Sequence, residues 1–437
     1  MLRRRYRYPA PFYVCLCLLT AGGYVWWRSG QDLEIAEVYM FNEGKPFSLH
    51  KTSRTGTLSE NSGKPLQYFR QIGNLSAFLL TAYAITDRPI KGRLNIIINT
   101  FDGAHVTLKC CIILSNHTLL ITRASETYRV PKGGHYNATQ YTCSLPLGTD
   151  VVQMSLTSSS CSHDVQDYIP VKRPVKRPGG LALCGKTLFG KDLRPQRLVE
   201  WIEIQKLLGV DKILIFDLDN PESIRKIFRY YSRQGILEVQ PYELPGRIEG
   251  VAYRDLYRHR HDHDGQFVQD DGFVLLDCRE RLSGYSWVMG IDVDEIILPR
   301  RNVALKPFIY ELTARYPKAA GFHFYIMFHY TSHGKTRNHY SGMEHFDYSR
   351  STPPQWKAFK YLYIPDRVTV PETHLLYAKS PYTVPRVSSA DGVVHHVRSC
   401  HRPESVCFPP GSVIDDSFLR FESELPQRVK QAMKEIV

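Results

Sequence analysis

Trp287-Val288-Met289-Gly290-Ile291-Asp292-Val293-Asp294-Glu295 is an apolar run that ends abruptly in three carboxylates. A short apolar run closed by polar residues reads as a buried strand. Asp292 and Asp294 flank one residue, so in extended chain their side chains project to the same side. Hard oxygen ligands in that arrangement suit Mg²⁺ or Mn²⁺ shared with a diphosphate, the ion keeping positions for phosphate oxygens and water. Alone, such a pair is a weak signal, since acidic residues after a strand also cap helices or face solvent. Its surroundings decide the reading.

Working back from this run, Leu181-Ala182-Leu183-Cys184 reads as a strand, and Leu198, Trp201, Ile202 and Leu208 follow at helical spacing. Next come a compact strand, Lys212-Ile213-Leu214-Ile215-Phe216, closed by Asp217, and a helix with Ile224, Ile227, Phe228 and Tyr231 on one face and Gly235 as its stop. Ile236-Leu237-Glu238-Val239 then reads as a further strand. This alternation predicts an α/β domain, a Rossmann-like parallel sheet with helices on both faces, over 181–420, followed by a C-terminal helix at 421–437. In open sheets of this kind ligands sit beyond the carboxyl ends of the strands, where Asp217 and Asp292 both fall.

Ahead of this domain, short apolar runs such as Phe78-Leu79-Leu80, Leu94-Asn95-Ile96-Ile97-Ile98 and Cys111-Ile112-Ile113-Leu114 predict a small β-rich module over 69–170. The stretch 171–180, with Pro174, Pro178 and repeated Lys and Arg, reads as a linker. Residues 28–68 are polar and fit a stem. Residues 10–27 carry no charge and follow Arg3, Arg4, Arg5 and Arg7. That pattern predicts a signal anchor with residues 1–9 in the cytosol and a lumenal bulk, Tyr24, Trp26 and Trp27 meeting the far interface. Ala21-Gly22-Gly23 would alternatively suit signal-peptide cleavage.

A secretory lumen agrees with two further features. Asn74-Leu75-Ser76, Asn116-His117-Thr118 and Asn137-Ala138-Thr139 fit the N-glycosylation pattern. Cys110, Cys111, Cys143, Cys161, Cys184, Cys278, Cys400 and Cys407 are even in number, which permits full pairing, and none has zinc-like spacing. The chain has 437 residues, 43% of them hydrophobic, enough for a sizeable core. Its net charge of +13 is spread among acidic residues rather than massed in runs, which argues against a nucleic-acid partner.

Of the 17 histidines, His395 and His396 lie on a strand-like stretch where neighbours face opposite sides, so one of the two can complete a metal shell. The run His259-Arg260-His261-Asp262-His263-Asp264 has a metal-like composition but no helical order, and reads as a solvated loop.

Cys184-Gly185-Lys186-Thr187-Leu188-Phe189-Gly190, Leu198-Val199-Glu200-Trp201, Leu208-Gly209-Val210-Asp211-Lys212, Asp277-Cys278-Arg279-Glu280-Arg281 and the Asp292-Val293-Asp294 stretch keep their order over about half the chain. With Lys360, Tyr361, Tyr363, His374 and His395-His396-Val397-Arg398 they resemble glycosyltransferase family 92, whose members have the GT-A fold. Gln269-Asp270-Asp271-Gly272-Phe273 departs from the family pattern ahead of the Asp-Cys element. The resemblance implies a Golgi enzyme taking UDP-galactose as donor, with Mn²⁺ as cofactor and inversion to a β1,4-linked product. It also implies galactose- or fucose-terminated N-glycans on glycoproteins as acceptors. Candidate site residues are Asp292, Asp294, His395 and His396 for the metal, and Asp217, Asp277, Lys360, His374 and Arg398 for the donor. Glu295, which follows the metal pair, is the candidate base, with Glu372 and Asp391 as alternatives. A non-catalytic sugar-binding protein is the competing reading, and dimerisation is left open.

Overall fold

The computed structural model describes residues 68–436 except 87–91, 104, 132–133, 190–192, 246–265, 302–303 and 337–342, and adds the strand Val38–Tyr39. The expected cytosolic tail, the anchor, the rest of the stem and the His259–Asp264 run lie outside the described residues. Among the described residues no helix is long and apolar enough to cross a membrane.

The first strands are β1 (Ala77–Ile85), β2 (Arg93–Asp102), β3 (Lys109–Leu114), β4 (Leu119–Arg123), β5 (Ser125–Arg129), β6 (Asn137–Pro146), β7 (Val151–Thr157) and β8 (Ile169–Lys172). They form one sheet in the order β4-β3-β7-β8-β1-β2-β6-β5, with Val38–Tyr39 added at the β4 edge. The two halves of this sheet share a core containing Ile96, Ile98, Ile112, Met154 and Leu156. A disulfide between Cys110 and Cys143 ties one half to the other, and Cys111 pairs with Cys161.

Of the residues read as a linker, Val171 and Lys172 finish β8, and Arg177 to Gly180 open the next strand. That strand is β9 (Arg177–Leu188). Then come α1 (Pro195–Leu207), β10 (Lys212–Asp217), α2 (Glu222–Arg233), β11 (Leu237–Pro241), α3 (Gln266–Arg281), β12 (Tyr285–Gly290), β13 (Glu295–Pro299) and α4 (Leu305–Arg315). The last elements used below are β14 (Gly321–Tyr330), β15 (Gln355–Tyr363), β16 (Gly392–Arg398) and α5 (Leu425–Ile436).

Strands β11, β10, β9 and β12 are parallel neighbours, and β15 and β14 continue the sheet antiparallel. The expected α/β architecture is therefore a mixed sheet rather than a wholly parallel one. Helices α1, α2, α4 and α5 cover one face, where Trp201, Ile204, Ile213, Ile227 and Leu312 are buried together. Complete burial of side chains of this size contributes about 1.5–3 kcal/mol each.

The other face is covered by α3, which lies between this sheet and the N-terminal one. Phe273 of α3 packs with Phe101 of β2 and Phe216 of β10. Cys278 of α3 is disulfide-bonded to Cys184 of β9, and Cys400 to Cys407, so all eight cysteines outside residues 10–27 are paired. Gly290, the last residue of β12, has no alternative: a Cβ there would lie 2.5 Å from the Tyr361 ring.

Candidate active site

β12 ends at Gly290, and Asp292 to Glu295 form a tight turn, with the Glu295 N–H donating to the Asp292 carbonyl at 3.0 Å. Glu295 then starts β13, which pairs antiparallel with β16 so that Glu295 stands opposite His396. The Trp201 indole N–H donates to the Glu295 carbonyl at 2.8 Å, and Arg197 donates to the Val397 carbonyl. Helix α1 thus fixes both strands from behind, and the buried indole has its hydrogen bond as well as its packing.

Four cations surround the carboxylates. Asp292 lies 3.1 Å from the Lys186 ammonium and 2.6 Å from that of Lys360. Lys360 also reaches Glu295 at 3.2 Å, and the Glu295 carboxylate accepts the Asp292 N–H at 2.9 Å. His396 places Nε2 3.1 Å from Asp294 and Nδ1 3.3 Å from Glu295. Arg197 stands 3.9 Å from Asp294 and 3.1 Å from Glu344.

These partners set the protonation states. Burial pushes Asp292 up, but Lys186 and Lys360 more than offset it and hold the carboxyl well below its usual range. Burial likewise opposes ionisation of Asp294, which His396 nonetheless holds low. For Glu295 burial wins over Lys360 and its carboxyl is pushed up. For His396 burial favours the neutral ring, yet Asp294 and Glu295 raise its pKa.

The two aspartates therefore differ in what they have left to offer. Asp292 is committed to two ammonium groups. Asp294, 31% exposed, meets His396 at 3.1 Å and Arg197 only at 3.9 Å. One ligand atom each from Asp294, Glu295 and His396 lie within 4.8 Å of one another, a mixed carboxylate–imidazole set that fits Mn²⁺ or Mg²⁺.

Glycosyltransferase family 92 has a sequence profile that matches residues 179–436, more than half of the chain. The chain belongs to glycosyltransferase family 92. It is also 31% identical over 124 residues to the beta-1,4-galactosyltransferase galt-1 of Caenorhabditis elegans, a match covering 27% of this chain and 25% of that protein. The chain thus spans about a quarter of the length of the curated relative it matches.

Within this family 92 domain the expected site residues divide. Asp292, Asp294, Glu295, Lys360 and His396 come together. His374 lies beside them, its Nδ1 3.1 Å from the Phe359 carbonyl, its pKa lowered by burial and then by Lys360. His395 does not join the metal set. Alternation along β16 turns it to the opposite face, where its Nδ1 lies 2.9 Å from His329 Nε2.

Asp277 is a second correction. It is buried on the face of α3 that meets the N-terminal sheet, where Thr81 donates to it and Arg281 pairs with it one helical turn on, at 3.1 Å. Asp217 does end its strand, but its carboxylate takes the Asn220 amide at 2.6 Å and the Arg225 guanidinium at 3.4 Å. Arg398 is exposed at the end of β16, paired in register with Tyr330 and outside the cluster. Asp391 precedes the far end of β16 and is tied to Arg315 at 2.6 Å. Glu372 accepts a hydrogen bond from the Tyr128 hydroxyl at 3.1 Å.

Two members of the cluster escaped the sequence reading as site residues. Lys186 is 4% exposed and adopts φ 56°, a left-handed conformation rare outside glycine. Its position near the carboxyl end of β9 was the available signal. Arg197 sits in the first turn of α1, and only packing brings it to Asp294.

Proposed function

We propose that this protein is a metal-dependent inverting glycosyltransferase of GT-A type, moving galactose from UDP-galactose in β1,4 linkage onto terminal galactose or fucose of glycoprotein N-glycans. The Golgi lumen, with a single-pass type II anchor, is the compartment we infer. The observation that carries the reading is the Asp294–Glu295–His396 set beside lysine-bound Asp292, in a family 92 domain, beyond the ends of parallel strands. The similarity to the Caenorhabditis elegans beta-1,4-galactosyltransferase supports the sugar and the linkage.

Asp294 and His396, with Glu295, would hold Mn²⁺ or Mg²⁺. Such an ion supplies charge neutralisation at a departing nucleoside diphosphate. Lys186 and Lys360 add positive charge at the same place, and Asp292 keeps both aimed before substrate arrives, so little reorganisation is needed during transfer. Glu295 is 1% exposed and its oxygens meet Lys360, His396 and the Asp292 N–H, so it completes this metal set rather than reaching the acceptor hydroxyl as the expected base.

The test is UDP release from UDP-galactose by the full-length chain in detergent, with and without Mn²⁺ and a galactose- or fucose-terminated N-glycan. Metal-dependent, acceptor-stimulated release supports the reading. A folded protein that releases no UDP from any sugar nucleotide, yet binds glycans, overturns it in favour of a non-catalytic sugar-binding protein.

A further inference from the structure

Strand β15 reaches the site through an irregularity. Phe324 of β14 pairs with Lys360 and Ile326 with Gln355, so Tyr325 alone faces the stretch Trp356 to Phe359. Within it Ala358 has φ 48°, a left-handed conformation rare outside glycine. Bulges beside active sites re-aim side chains. This one turns out Trp356 and Phe359, stacked with ring centroids 4.3 Å apart and both only partly buried.

The stack continues in both directions. The Arg386 guanidinium lies over the Trp356 ring, 4.1 Å from its centroid. On the other side His323 meets Phe359 at 4.5 Å. His323 is 8% exposed, and its Nε2 has no hydrogen-bond partner among the described residues. Buried polar atoms are rarely left that way without a role. Burial, reinforced by Arg386, lowers its pKa to about 4, so the ring is neutral near pH 6 to 7.

The stack borders the carboxylate cluster. Gly290 of β12 pairs with Tyr361 of β15; two residues from that pair stand Asp292, in the turn that follows β12, and Phe359 on β15. Lys360, next to Phe359, holds Asp292 and Glu295. The stack therefore lies on the side of the sheet end where ligands of such folds sit.

We propose that the Trp356–Phe359 bulge, with Arg386 and His323, is the subsite for the terminal pyranose of the acceptor glycan. The inference rests on the glycosyltransferase reading of the neighbouring cluster. A pyranose carries apolar C–H groups ringed by hydroxyls. Aromatic surface beside guanidinium, indole and imidazole nitrogens is its complement, and stacked aromatics lose little side-chain entropy on binding. The phosphates of a nucleotide need the buried ammonium groups found at Asp292 instead; the exposed cations at the bulge, Arg386 and Lys357, lie over the Trp356 and Phe328 rings.

The test measures two quantities on the full-length protein and on Trp356→Ala, Arg386→Ala and Trp356→Phe. The first is direct binding of a galactose-terminated N-glycan by saturation-transfer NMR, without donor. The second is UDP release as a function of acceptor and of donor. Both alanine variants are expected to weaken glycan binding and raise the acceptor KM roughly tenfold, with Trp356→Phe close to wild type. Donor KM and acceptor-independent UDP release should stay unchanged, which a merely structural role would not allow. Unaltered glycan binding in both alanine variants, or equal losses in donor hydrolysis, overturns the subsite. Absent UDP release with glycan binding still lost in the variants would instead overturn the transferase reading and leave the sugar subsite standing.

Discussion

Strand β16 feeds two clusters that share its backbone and little else. On one face His396 stands with Asp294 and Glu295, among lysines, in a recess that leaves Asp292 39% and Asp294 31% exposed. On the other, His395 lies against His329 and Phe418, sealed, with burial holding both imidazoles neutral. The open cluster keeps its charges because cations and anions are interleaved. In the sealed one the rings stay neutral because two neighbouring imidazolium ions in low dielectric would cost far more than their packing returns, and Asp415 beside them is paired with Arg300 at 2.6 Å. Accessible, balanced charge marks a place for substrate; closed, neutral rings mark a place for packing.

The largest test of this contrast is Asp294→Asn. It should lower the rate of UDP-galactose turnover by roughly a hundredfold to a thousandfold, with the melting temperature nearly unchanged. A turnover within a few fold of wild type would move the metal elsewhere. Lys360→Met strikes the same cluster through its buried side. It leaves Glu295 and Asp292 without their shared ammonium and should cost about 3–5 kcal/mol in urea unfolding as well as activity. An unfolding midpoint equal to wild type would mean Lys186 alone satisfies the site.

His395→Asn should behave in the opposite sense. Loss of packing against Phe418 and of the His329 hydrogen bond is expected to cost about 1–3 kcal/mol of stability, with kcat and metal affinity in the folded fraction nearly unchanged. A loss of metal affinity matching that of His396→Asn would erase the distinction between the two faces.

The smallest effect is one of pH. In the folded chain His329 is held at about 4 by burial, against a partial opposing pull from Asp415 and the Tyr348 carbonyl, while the ordinary value is 6.5. Between these values the unfolded chain binds the proton and the folded chain does not. The stability due to the neutral ring is therefore complete above pH 6.5 and falls by about 1.4 kcal/mol per pH unit as pH drops toward 4. His396 has the opposite sign: its pKa is raised, so its contribution is present in acid and is lost as pH rises through the folded value. Urea unfolding at pH 7 and pH 5.5 should show a shallower acid loss in His329→Gln than in wild type; equal slopes would refute the assignment.

Much of this was legible from sequence. The apolar run ending in Asp292, the alternation from Leu181 to Val239 and the even cysteine number are local patterns, and periodicity and composition report local patterns well. The parallel strands and the strand-end position of Asp292 follow from them, and the even count permits the disulfide pairing that the structure shows. Asp277 shows where that logic stops. Its place in an Asp-Cys element suggested the donor site, but a helix presents every side of itself. The side bearing Asp277 met Thr81, almost 200 positions earlier in the chain, while the neighbouring Cys278 met β9.

Sequence by itself determined that at most one of His395 and His396 can face the carboxylates, because a strand alternates its side chains whatever surrounds it. Only the tertiary structure decided which one, since the choice depends on how β16 registers against β13, with Glu295 opposite His396. The same holds for the cations. Lys186 and Lys360 are 174 positions apart, and no local rule brings both ammonium groups onto one carboxylate; the pairing of β9 and β15 with opposite edges of β12 does.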